Sequence, residues 1–174
     1  MKIIKAIIIS VLLGILAASC SPSDSPKQNT NSNSENSSFK ETVSFTDIDG
    51  KEISLSGLEG KVVIVDFWAS WCPPCKASIP FYNRMYEKYS QKGLVIIGAD
   101  VNEETQVIRT EAEKLGIKYI VAQPSDEMNT LFKVSSIPSM FLFDKKGNLV
   151  NNQVGYSGSA DKAIEQMILE ELNK

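Results

Sequence analysis

Two cysteines three residues apart, Cys72 and Cys75, are the side chains of this sequence best equipped for chemistry. They bracket Pro73-Pro74, follow Trp71, and stand shortly after an apolar run, Val62-Val63-Ile64-Val65. Thiols at that spacing across a helix start can bridge without backbone movement. The first of them, Cys72, falls at the helix N-terminus, where unpaired N–H groups and the helix dipole favour an anion. Such a site lowers a thiol pKa, and the thiolate is the nucleophile. The expected order is attack by Cys72 on a substrate disulfide, then resolution of the mixed disulfide by Cys75.

Cys75, expected to be the more buried thiol, must lose its proton for the second step. Asp66, six residues before Cys72, is the candidate acceptor. A carboxylate within Val62-Val63-Ile64-Val65-Asp66-Phe67-Trp68 is costly unless it has a partner or a task. Burial there would raise its pKa towards the range useful to a base. The alternative puts Asp66 at a frayed strand end in water. No imidazole competes for the role, because the chain contains no histidine.

The missing histidine also removes whole classes of function. Ser-His-Asp and Cys-His nucleophile pairs, His-ligated zinc or iron, and c-type haem attachment all need it. Two cysteines alone make a poor zinc site, although copper(I) accepts soft thiolates. No metal and no cofactor beyond a Cys72–Cys75 disulfide are therefore expected. The chain has 18 basic and 21 acidic residues, and a net charge of −3 lacks the basic footprint of a nucleic-acid binder. Its 43% apolar and 22% charged content is that of a soluble globular protein.

The elements that must hold these residues begin with a leader. Lys2 and Lys5 form a short basic region, and residues 6–18 are apolar apart from Ser10 and Gly14. That run is too short for a span of about 20 residues and suits a secretory signal. It ends in Leu16-Ala17-Ala18-Ser19-Cys20, which resembles a bacterial lipobox with Ala17 in place of the usual leucine. The reading is cleavage of residues 1–19 and lipidation of Cys20, which would anchor the protein to a membrane. An ordinary secretory peptide cut near Ala18, or an uncleaved anchor, is the alternative. Residues 21–38 hold seven serines, four asparagines, two prolines and no apolar residue, and so form a tether. A coil of that length reaches roughly 23 Å. Residues 39–174 are left as the folded domain.

That domain alternates strand and helix. Val43–Phe45 and Ile53–Leu55 flank Asp49-Gly50, a hairpin signal. Val62 to Val65 reads as a strand buried on both faces. A helix is predicted from Pro73 to about Tyr89, kinked at Pro80. Then follow a strand from Leu94 to Val101, a helix ending at Leu115-Gly116, a strand over 118–122 and a short helix over 125–132. Met140–Phe143 and Leu149–Val154 form a second hairpin around Lys146-Gly147-Asn148, and a last helix is capped by Ser159. The sum is an α/β fold, a mixed sheet with helices on its faces.

The stretch from Val65 to Lys76, with its Asp-Phe-Trp-Ala-Ser-Trp-Cys-Pro-Pro-Cys core, resembles the active-site segment of the thioredoxin superfamily. Over about residues 41–172 the domain is similar to the membrane-tethered TlpA/ResA-like branch. The resemblance implies a thioredoxin-like fold with an N-terminal hairpin and a helix and strand inserted near 103–122. It implies that Ile137-Pro138 is a cis-proline pair that docks substrate beside the cysteines; Trp71, beside the nucleophile, is a candidate substrate contact, with packing the alternative. Pro80 matches the family's kinking proline. ResA-like proteins often carry Glu where this chain has Ser78, and commonly Asn at the position of Asp66. The resemblance further implies reduction of protein disulfides outside the cytoplasm, apocytochrome c being the best-known substrate. It implies a membrane thiol-relay reductant as partner, and a monomer is expected. An oxidant that inserts disulfides, or a thiol or substrate-binding lipoprotein without turnover, is the alternative. A peroxidase of the peroxiredoxin kind is disfavoured, since Ala69 stands where its threonine would.

Overall fold

The computed structural model describes residues 43–174, and the leader, Cys20, the tether and the boundary near residue 39 lie outside them. Seven strands form one sheet in the order β2-β1-β5-β4-β3-β6-β7. They are β1 Ser44–Asp47, β2 Glu52–Ser54, β3 Val62–Trp68, β4 Leu94–Asp100, β5 Ile120–Pro124, β6 Ser139–Phe143 and β7 Leu149–Val154. The helices are α1 Pro73–Tyr89, α2 Thr105–Leu115, α3 Asp126–Phe132 and α4 Asp161–Leu172. β3 runs parallel to β4 and antiparallel to β6, so the sheet is mixed as expected.

β3 is the axis of the sheet because all seven of its residues are buried. Its side chains alternate between two cores. Val63, Val65 and Phe67 face a layer that includes Phe132 of α3 and Phe141 and Phe143 of β6. The Phe132–Phe141 rings meet edge-on with centroids 4.7 Å apart, an arrangement that adds roughly 0.5–1.5 kcal/mol to the burial itself. Val62 and Ile64 face the other layer, with Phe81, Tyr82, Met85 and Tyr89 of α1 and Ile164 and Ile168 of α4. α1 therefore lies across the sheet with its N-terminus at the end of β3, where the loop 69–72 emerges.

Turn chemistry fixes the hairpins. Asp47 Oδ1 accepts from the Asp49 and Lys51 amides at 2.9 and 2.8 Å, and Gly50 takes φ +83°, a conformation that glycine adopts without penalty. The helix from Pro73 to Tyr89 matches the expected span, and it continues through Pro80.

Two expectations are corrected, and one alternative falls. The fifth strand begins at Ile120 rather than 118, because Lys118 bonds Asn83 through its amide and Tyr119 packs on α1. The last helix is entered from Ala160. Ser159 does not cap it but pairs its hydroxyl with Ser157, 2.6 Å away. Asp66 is no frayed end, since β3 continues two residues past it and it is 1% exposed.

Candidate active site

The loop after β3 closes a turn in which the Cys72 amide donates to the Ala69 carbonyl at 3.1 Å. Cys72 is the N-cap of α1, with extended backbone and prolines at the first two helical positions. Proline suits these positions because it has no N–H to leave unpaired. The consequence is that one amide reaches the Cys72 sulfur, that of Cys75, at 3.3 Å. Cys72 and Cys75 are joined as a disulfide with Cα atoms 5.3 Å apart. Cys72 is 4% exposed and Cys75 fully buried, the order expected of an outer and an inner thiol.

Sheet register decides what flanks the pair. β6 pairs Ser139 with Phe67, which sets Ile137 and Pro138 beside the start of the loop. The Ile137–Pro138 bond is cis. Ile137 packs on the cluster that holds Trp68, Ala69, Cys72 and Cys75. Trp71 projects into solvent, 61% exposed, and Pro73 and Pro74 are exposed beside it. A nearly covered disulfide, an exposed indole and Ile137 and Pro138 thus stand together at this end of the sheet. Trp68, by contrast, is core.

Asp66 points to the α1 side of the sheet, on the same face as Trp68. Its hydrogen-bond partner is the Tyr82 hydroxyl, 3.5 Å from Oδ1, the weak limit of such a bond. Burial pushes the Asp66 carboxyl well above its ordinary range, and the Tyr82 bond opposes this only in part. Burial and then the Asp66 charge push Tyr82 and Tyr119 upward as well. Gly98 lies opposite Asp66 on β4. A Cβ there would sit 3.1 Å from the Tyr119 ring and 3.2 Å from Trp68 Nε1, so the two aromatics close over Gly98, the residue opposite Asp66, only because it has no side chain.

Cys75 and Tyr82 are separated by two helical turns on the buried face of α1. Tyr82's hydroxyl leans back towards the helix N-terminus, as helical side chains do. Asp66, Tyr82 and Cys75 are all buried on the α1 side of the sheet. Ser78, where the family often has Glu, is buried and donates to the Cys75 carbonyl at 2.8 Å. It offers no charge there, and Asp66 is the buried carboxyl that Tyr82 of α1 touches. From sequence, Tyr82 reads as packing, and neither Tyr119 nor Gly98 stands out. The apolar-run context that marks Asp66 carries no sign of what lies over it.

Among the described residues no helix is long and apolar enough to cross a membrane, and no cluster of three ligating side chains fits a metal ion.

A family model described as AhpC/TSA matches residues 36–152. The chain belongs to that family. Within it, the chain is 36% identical over 119 residues to the thiol-disulfide oxidoreductase ResA of Bacillus thuringiensis strain Al Hakam, covering 67% of this chain and 69% of the relative. The Bacillus subtilis strain 168 protein of the same name is 31% identical over 110 residues, covering 63% and 62%. Among solved structures, a Chlorobium tepidum protein assigned as the thiol:disulfide interchange protein DsbE superposes with TM-score 0.70 at 32% identity. The match covers 76% of this chain and 95% of that one. The fold is thioredoxin-like, and the protein is a thiol-disulfide oxidoreductase of the ResA-like branch.

Proposed function

We propose that this oxidoreductase works as a reductant of protein disulfides outside the cytoplasmic membrane, held there by a lipid on Cys20. Cys72 is the nucleophile: its thiolate attacks one sulfur of the substrate disulfide and expels the other as a thiolate. Cys75 then attacks the Cys72 sulfur, closes the Cys72–Cys75 bond and releases the second substrate thiolate. Two electrons pass to the substrate, and a membrane thiol-relay protein restores the dithiol. Asp66 takes the Cys75 proton, and the Trp71 and Ile137–Pro138 surface holds the polypeptide. Apocytochrome c is the substrate that the resemblance to the ResA-like branch implies.

The observation that carries the direction is the poverty of donors at Cys72. One backbone amide reaches its sulfur, at 3.3 Å, and the chain supplies no histidine. A weakly stabilised thiolate shifts the couple towards the disulfide and makes the dithiol a better reductant. The expected potential lies nearer the thioredoxin end, about −270 mV, than the DsbA end, about −120 mV. Equilibration of the purified domain against glutathione buffers measures it. A value above roughly −180 mV contradicts the reductant and supports a disulfide-forming role.

A further inference from the structure

The β4 side of the active-site loop carries two carboxyl groups that the exchange chemistry does not use. β3 and β4 stay paired to Trp68 and Asp100, and the Val101 amide still donates to the Trp68 carbonyl at 3.1 Å. The chains thus leave the sheet together, residues 69–72 towards α1 and residues 101–104 towards α2. At that point the Glu103 carboxylate receives two donors from Ser70. The backbone amide reaches Oε2 at 2.5 Å and the hydroxyl reaches Oε1 at 2.6 Å. Ser70 is the second residue of the Ala69–Cys72 turn, so both bonds grip the segment that presents Trp71 and Cys72.

Glu103 is itself braced from two other elements. Its amide and that of Asn102 donate to Asp100 Oδ1 at 2.7 and 3.1 Å. Its carbonyl accepts from Gln123 of β5 at 2.8 Å. Asp100 is 1% exposed, and no N–H or O–H of the described residues donates to its Oδ2. An orphaned oxygen of that kind is costly, and a proton on it, donated to the adjoining Glu103 carboxylate, removes the cost.

We propose that Glu103, seated by Asp100, is a positioning residue that locks the Ala69–Cys72 turn and so sets the rate at which Cys72 exchanges with substrate. The proposal rests on the reading of Cys72 as nucleophile. Electrostatics agree with the geometry. Burial, and then the bond with Glu103, raise Asp100 to about 7. Burial also works upward on Glu103, but the Ser70 donors, Asp100 and the Lys76 cation on α1 together hold it below its usual range. Glu104 and Asp126 line the same cleft and add negative charge to the surroundings. Below about pH 7 a protonated Asp100 donates to Glu103 and the clamp is closed. Above it, two adjacent carboxylates repel and the grip on Ser70 slackens.

The test is kcat/KM for reduction of a soluble dithiol-reducible protein, insulin, over pH 5.5–8.5, with the reduced domain and its variants. Glu103→Ala is expected to lose about tenfold or more, the scale on which misplacement of a reacting group is felt. Ser70→Ala keeps the amide bond and should lose less, and adding it to Glu103→Ala should cost nothing further. Asp100→Asn should abolish an inflection near pH 7 that Asp66→Asn retains. Circular dichroism and the Cys72–Cys75 potential, expected to move little, separate positioning from unfolding. Folded Glu103→Ala with wild-type kcat/KM, losses that multiply in the double variant, or an inflection that survives Asp100→Asn would each overturn the proposal. Activity that persists in Cys72→Ser would instead overturn the reading of the nucleophile, whatever the Glu103 variants do.

Discussion

Asp66→Asn removes a buried ionisable group while keeping its shape, and its effect on stability follows from where the proton resides. An unfolded aspartate titrates near 3.9, whereas the folded Asp66 carboxyl is pushed well above that range by burial. Between the two values the native state holds a proton that the unfolded chain has released, so wild-type stability falls as pH rises. The slope is about 1.36 kcal/mol per pH unit for one group in that window. Below pH 4 the carboxyl is protonated in both states and the difference is absent. The substituted amide still accepts from Tyr82 but leaves a buried N–H donor short of a partner, a cost of roughly 1–3 kcal/mol. The variant should therefore be somewhat less stable than wild type at pH 4. It should gain steadily on wild type as pH rises through the window between the unfolded and folded values. Asp100 titrates in both proteins and cancels in the comparison. Urea melts of the oxidised domain at half-unit steps from pH 4 to 8 give the two curves. Curves that stay parallel would show that burial does not raise the Asp66 carboxyl, and with that the match of its basicity to the Cys75 thiol would be lost.

Asp66→Asn should also slow disulfide reduction near neutral pH and remove the Asp66 limb of the pH–rate profile while leaving the Asp100 inflection near pH 7, as stopped-flow kinetics on the reduced domain would report. An unchanged profile would mean that Cys75 loses its proton by another route. Gly98→Ala should cost roughly 1–3 kcal/mol, because its Cβ would press on Tyr119 and Trp68 at 3.1 and 3.2 Å. Urea melts check this, and a neutral result would mean that Tyr119 and Trp68 are loosely held over Gly98. Phe132→Ala should cost about 3–5 kcal/mol, since its ring meets those of Phe67, Phe141 and Phe143. Pro74→His places a cation beside the Cys72 thiolate and should raise the potential by about 30 mV or more, equivalent to roughly 1.4 kcal/mol. Glutathione equilibration reads that shift directly.

Much of this is visible in the sequence for physical reasons. The β-branched run before Trp71, and prolines where a helix tolerates them, mark the strand, the loop and the start of α1, whose Pro73–Tyr89 span agrees with expectation. The second hairpin is equally plain, since its strands flank the turn at Gly147. The positions that mislead are those where a tertiary partner outweighs local pattern. Lys118 and Tyr119 look like strand residues but are taken up by Asn83 and α1, which delays β5 to Ile120. The site divides in the same way. Cys72, Cys75 and Asp66 stand out by local context, whereas Glu103 meets Ser70 across 33 residues only because β3 and β4 end in register at Trp68 and Asp100. Hydrophobic period carries no information on that register. Asp100, an acid closing an apolar strand, carries the same local signal as Asp66, and its burial is the part of the site that this signal could have found.

The central claim is that Cys72 attacks and Cys75 resolves. Trapping tests it most directly: Cys75→Ser and Cys72→Ser domains are each mixed with oxidised insulin and quenched with acid, and the products are mapped by mass spectrometry. The account predicts a mixed disulfide between Cys72 and an insulin cysteine that accumulates in Cys75→Ser, with no adduct in Cys72→Ser because Cys75 is fully buried. An adduct that forms through Cys75, or none in either variant while wild type reduces insulin, would contradict it.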